Sequence, residues 1–133
     1  MKKIYWVLIV VLIVFWIFLR FIIGGSEDSW IKDGKGEYVE HGVPSNLPYY
    51  VQEQQIAFIQ ALELYQKKKQ EGMNFSSQCL GIVGNNTKYV VDIIHIPRTE
   101  EDNKIENQCP DYLNGEIKNF IELDKDGNIF MMV

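Results

Sequence analysis

Hydrophobic positions are distributed unevenly along the chain. Residues 4–23 form an apolar and aromatic run broken by a single charge, Arg20. Roughly 20 residues at about 1.5 Å each reach about 30 Å, the thickness of a bilayer core. In lipid one segment must satisfy its own backbone groups, so the run is expected to be a transmembrane helix. Tyr5 and Trp6 stand where interfacial rings are favoured, and Arg20 lies close enough to the far end to snorkel. The run is longer than the apolar region of a signal peptide, and no small-x-small cleavage pattern precedes Gly24 or Gly25. An uncleaved signal anchor is therefore preferred to a cleaved leader or a buried helix.

Beyond a polar linker at 24–29 the pattern changes twice. Trp30-Ile31-Lys32 and Glu37-Tyr38-Val39-Glu40 flank Asp33-Gly34-Lys35-Gly36, which predicts a hairpin. From Pro48 to Gly72 the period is helical, with Val51, Phe58, Ala61, Leu62 and Tyr65 on one face, broadened by Ile56 and Ile59. Ser45 or Asn46 is expected to cap this helix, Pro48 suits its first turn, and Gly72 stops it. Lys67, Lys68 and Lys69 complement the dipole at its C-terminal end. The period then becomes that of strands at 78–83, 89–96, 117–123 and 129–133. Gly84-Asn85-Asn86 and Asp124 to Asn128 read as turns, and 97–107 as a polar loop. The expected class is α+β: the N-terminal transmembrane helix, then one amphipathic helix packed on an antiparallel sheet of about three to five strands.

Charge sharpens the topology. All 18 acids follow the apolar run. Setting aside Lys2, Lys3 and Arg20 leaves 10 bases against 18 acids, a net charge of -8 on the remainder. Basic residues are retained on the cytoplasmic side, so residues 1–3 are expected inside and 30–133 outside. The acidic balance excludes nucleic acid as a partner.

Two cysteines remain, Cys79 and Cys109. Outside the cytoplasm they are expected to pair as a disulfide, stapling a domain whose core is small. Asn74-Phe75-Ser76 and Asn85-Asn86-Thr87 match the N-glycosylation pattern, making Asn74 and Asn85 candidate acceptors.

The chemistry-bearing residues form no recognised catalytic pattern. His95 is placed on a strand with Asp92 on the opposite face, so those two do not form an orienting pair. His41 follows the first hairpin. There is no GxSxG elbow. Asp124-Lys125-Asp126-Gly127-Asn128 departs from a calcium loop, because its glycine stands fourth and no glutamate occupies the twelfth position. No catalytic residue, metal site or cofactor is expected.

The segments DSWIKDGKGEYVEHGVPS, SSQCLG, VDIIHIPRTEEDN and NQCPDYLNGEIKNFIELDKDGN resemble small membrane-anchored extracytoplasmic proteins of archaea. The resemblance implies placement at the membrane and no activity. Some of those proteins carry a cysteine after the Trp-Ile pair, where this chain has Lys32.

The expected function is a non-catalytic binding or interaction module of the cell envelope, in contact with membrane lipid. Its partner would be an envelope protein or a glycan, met by Trp30, Tyr38, Glu100, Glu101 and Asp102. Two alternatives stay open. One is a small anchored hydrolase using His41 or His95, favoured if a histidine, a carboxylate and a Ser or Thr converge in one concave pocket. The other is a pilin-like filament subunit, against which stand the Gly24-Gly25 break and the lack of an early glutamate.

Overall fold

A computed structural model describes residues 2–23 and 28–133, and in the first helix the side chains of Tyr5, Trp6 and residues 9–18. That helix, α1, runs Lys2–Ile23. The side chains of residues 9–18 expose between 47% (Ile9) and 66% (Trp16) of their surface. Among the described residues no helix is long and apolar enough to cross a membrane. Residues 24–27 of the expected 24–29 linker and the expected snorkelling of Arg20 lie outside what is described, and Ser29 already belongs to the first strand.

The rest is α+β. Strands β1 (Ser29–Lys32) and β2 (Tyr38–His41) pair as an antiparallel hairpin, with Trp30 opposite Glu40. Helix α2 spans Tyr49–Gln70. Strands β3 (Gln78–Val83), β4 (Tyr89–Ile93), β5 (Asn119–Leu123) and β6 (Ile129–Met132) form one sheet in the order β3-β4-β5-β6. The expected all-antiparallel sheet is corrected here. β3 and β4 are an antiparallel hairpin and β5 and β6 another, but β4 and β5 run parallel in register from Tyr89↔Asn119 to Ile93↔Leu123. A parallel pair needs a crossover of a dozen or more residues. Residues 94–118 supply it, and they contain two 3-10 turns (Glu100–Asn103, Ile105–Asn107) and the short helix α3 (Pro110–Leu113). The second strand of the β3–β4 hairpin is accordingly shorter than the expected 89–96, since β4 ends at Ile93.

The core lies between α2 and one face of the sheet. Tyr65, Ile93, Ile121, Leu123 and Met132 are its largest fully buried side chains. Full burial of each apolar side chain contributes about 1.5–3 kcal/mol. The helix presents Val51, Ala57, Ala61 and Tyr65 to this core, whereas Ile59 is exposed. Its N-terminus departs from expectation. Pro48 occupies the cap position without a side-chain cap bond, and the Asn46 carbonyl accepts a hydrogen bond from Trp30 Nε1 at 2.8 Å. The C-terminus ends as expected. Gly72 adopts φ +81°, the Met73 N–H reaches the Lys68 carbonyl and the Gly72 N–H reaches that of Lys69. This is the Schellman arrangement, which satisfies carbonyls left open by the last turn.

Two polar side chains on α2 are buried and organise their neighbours. Gln54 accepts from the Tyr38 N–H at 2.8 Å and donates to the Gly36 carbonyl at 2.9 Å, which docks the first hairpin. Glu53 accepts from the backbone N–H groups of Asn86 (2.9 Å) and Thr87 (2.8 Å), fixing the β3–β4 turn. The Thr87 N–H is the main reason the Glu53 carboxyl titrates below its ordinary range, with Asn86 adding to it against the opposing effect of burial. At the other edge the Met132 N–H donates to the Lys35 carbonyl, so the hairpin tip also ties to β6.

Candidate functional site

The β4 strand ends where Ile94 hydrogen-bonds to the Leu123 carbonyl, and the chain then turns through the cis Ile96–Pro97 bond. This turn presents His95 to a cleft of about 580 Å³. Phe75 and Ser76 line one wall, Ile96, Pro97 and Thr99 another, and Asp124 to Asp126 the third.

The histidine is held from behind by Asp102. One Asp102 oxygen, Oδ1, accepts from the His95 backbone N–H at 3.0 Å and meets His95 Nδ1 at 3.0 Å. The other, Oδ2, accepts from the Thr99 N–H at 2.6 Å and the Thr99 hydroxyl at 3.1 Å. The side chain of Asp102 is fully buried, while that of His95 is 37% exposed. Burial alone would raise the Asp102 pKa. The backbone N–H groups of Thr99 and His95, with the His95 and Ser77 side chains, outweigh it and hold the carboxyl at about 2. An ionised Asp102 fixes which His95 nitrogen faces the protein. Among the described residues, the hydrogen bonds of the His95 ring all fall on Nδ1, which meets the accepting Asp102 Oδ1 at 3.0 Å and Thr99 Oγ1 at 3.1 Å.

The same carboxylate closes a capping box, with Thr99 as cap and Asp102 at the third helical position. Asp102 therefore leaves the exposed surface to which it was assigned, because its oxygens are consumed by local donors. Glu100 and Glu101 remain exposed, and Glu101 pairs with Lys104 at 2.6 Å. Trp30 and Tyr38 are half-buried. Tyr38 packs against Tyr50 with centroids 4.8 Å apart and lies 5.2 Å beneath the Lys32 ammonium. The hairpin aromatics and the 100–102 acids thus sit on different elements, each with its own partners. His41 is exposed at the end of β2, opposite Ser29.

The third wall is a tight turn and binds its own backbone. Asp124 accepts from the N–H groups of Asp126 (2.9 Å) and Asn128 (2.8 Å) and from the Asn128 amide (2.9 Å). Burial opposes ionisation of Asp124, but these bonds prevail and lower its pKa. Gly127 has φ +85° and lies against the Tyr65 ring, whose hydroxyl donates to the Lys125 carbonyl at 2.9 Å.

On the opposite face of the sheet the two cysteines form a disulfide, with Cα atoms 4.9 Å apart. Cys109 is completely buried and Cys79 is half-buried. Potential ligand atoms of Cys79, Asp92 and Cys109 lie within 4.8 Å of one another. With both sulfurs in a covalent bond, they are not thiolate ligands. Asn74 and Asn85 are both exposed, and their side chains or carbonyls engage Gln78 and Gln60.

No family model, curated protein or solved structure matches this chain.

Proposed function

We propose that this protein is a membrane-anchored, extracytoplasmic binding module whose ligand seat is the His95 cleft. The observation that carries the reading is a partly exposed histidine pinned by a buried carboxylate in a concavity lined by Phe75, Ile94, Ile96 and Pro97. Such a site holds a polar group in a fixed direction against an apolar floor, which is how small ligand sites obtain orientation. The acidic balance of the domain favours a neutral or cationic ligand, such as a glycan or a basic segment of an envelope protein. Anchoring rests on the sequence of residues 4–23 and on apolar side chains at 9–18 that remain uncovered. A bilayer accommodates such a surface, and water does not. The two lysines before the run and the acids after it support an outward-facing domain.

A hydrolase using His95 is the second reading, since a histidine, a carboxylate and hydroxyls do meet in one cleft. Its weakness is geometric. The Thr99 hydroxyl shares Nδ1 with Asp102 and donates to that carboxylate, so it is not poised as a nucleophile on the outer nitrogen.

The test is binding to the full chain in lipid nanodiscs, using neutral oligosaccharides and lysine-rich peptides as probes. Saturable binding that falls at least about tenfold in His95→Ala and is unchanged in His41→Ala supports the reading. Binding untouched by His95→Ala removes the cleft from the account. Turnover of chromogenic esters that His95→Ala abolishes would install the hydrolase instead.

A further inference from the structure

The second face of the sheet carries a group that the cleft does not use. Asp92, on β4, stands opposite Cys79 of β3 and opposite Glu122 of β5. Its Oδ1 lies 3.1 Å from Cys109 Sγ. An oxidised sulfur has no hydrogen to give, so a proton shared across that contact belongs to the carboxyl. Every charged group that bears on Asp92 is identifiable. Burial in the sheet is the main influence, Glu122 adds like-charge repulsion, and Arg98 partly offsets both. Arg98 is itself engaged, donating to Glu122 Oε1 at 2.7 Å, while Glu122 Oε2 is buried and has no hydrogen-bond donor among the described residues. This surrounding lifts the Asp92 carboxyl to about 6, so it gains and loses its proton in an ordinary pH range.

We infer that the Cys79–Cys109 disulfide is a thiol-exchange site for a dithiol partner, with Asp92 as the proton donor to the Cys109 sulfur. The asymmetry of the pair sets the direction. Cys79 is the half-buried residue of the pair and Cys109 the fully buried one. An incoming thiolate attacks Cys79 Sγ and forms a mixed disulfide. The Cys79–Cys109 bond breaks and its electron pair goes to Cys109 Sγ. The Asp92 carboxyl then passes its proton to that sulfur, leaving a neutral buried thiol and a carboxylate. The second thiol of the partner loses its proton to solvent, attacks as a thiolate the partner sulfur of the mixed disulfide and releases Cys79 as a thiolate. The partner is oxidised by two electrons to its own disulfide, and this protein is reduced by two. Exchange is faster when the leaving sulfur is stabilised. A buried thiolate 3.1 Å from a carboxyl oxygen is poorly stabilised, so a proton delivered as the bond breaks has a large effect.

The experiment uses the full chain in detergent micelles with dithiothreitol as the dithiol, quenched by alkylation and read by mass. Rates are divided by the dithiothreitol thiolate concentration. In the native protein the normalised rate should fall on the order of tenfold to a hundredfold between about pH 5 and pH 7.5. The fall should be absent in Asp92→Asn. Glu122→Gln removes a charge that raises the carboxyl, so it should move the fall to lower pH. With glutathione as a monothiol probe, the trapped adduct should sit on Cys79. A native profile that is flat, or that Asp92→Asn leaves unchanged, overturns the proposal. So does an adduct on Cys109, or a profile that Glu122→Gln does not move.

Discussion

Asp102 holds the candidate site together, and its replacement offers a quantitative check. Its carboxylate titrates at about 2, against 3.8 for an ordinary aspartate. A shift of that size corresponds to about 2.5 kcal/mol, at 1.36 kcal/mol for each pKa unit. The Asp102 side chain itself is fully buried. The sign follows from linkage. A depressed carboxylate contributes stability that is complete above its unfolded pKa of about 3.9 and is lost as pH falls through the folded value. Asp102→Asn should therefore cost about 2–3 kcal/mol at pH 7, through the lost charge and an amide N–H turned towards the donors of Thr99 or His95. The cost should shrink as pH approaches 2. Urea unfolding of the full chain in micelles, followed by near-ultraviolet circular dichroism between pH 2 and 7, measures both quantities. A loss below about 0.5 kcal/mol at pH 7, or one that does not change with pH, would refute the reasoning.

Three further outcomes follow from the same structure. Replacing both cysteines by serine should destabilise the domain by about 3–4 kcal/mol, from the closed loop implied by their separation of 30 residues; denaturant midpoints with and without the bond check it. Asp92→Asn should stabilise the protein at pH 7–8 by about 2–3 kcal/mol, because a raised carboxyl costs stability as pH climbs from its unfolded value through about 6. That gain should vanish below about pH 4 in the same unfolding assay, where both states are protonated. Gly127→Ala should cost at least about 2 kcal/mol, since a Cβ there would stand 2.6 Å from the Tyr65 ring at φ +85°; a melting temperature lowered by several degrees checks it.

The elements were largely legible from periodicity, and their arrangement less so. The α2 helix, its lysine-rich last turn and its Gly72 stop follow directly from the pattern of residues. The 84–88 and 124–128 turns follow from Asn, Asp and Gly at the required positions. The cysteine pairing follows from count, Cys79 and Cys109 being the two cysteines of the chain, and from the expected compartment. The parallel β4–β5 pair does not, because the crossover at 94–118 carries 3-10 turns too short for a periodic signal. Glu53 and Gln54 lie outside the apolar face named from periodicity, yet they are buried to serve backbone groups distant in sequence. His95 and Asp102 are seven residues apart across a turn, so no strand or helix spacing links them. One signal was available. Thr99-x-x-Asp102 is a capping-box spacing, which marks Asp102 as a cap and separates it from its exposed neighbours Glu100 and Glu101.

The placement of the domain carries every functional statement above. Intact cells expressing the full chain are treated with a membrane-impermeant maleimide, with and without prior reduction by a membrane-impermeant phosphine. Labelling of Cys79 and Cys109 only after reduction is the predicted result, with the domain outside and the disulfide formed. Thiols that stay unlabelled in intact cells and react without reduction after lysis would contradict it, placing the domain in the cytoplasm with its cysteines free.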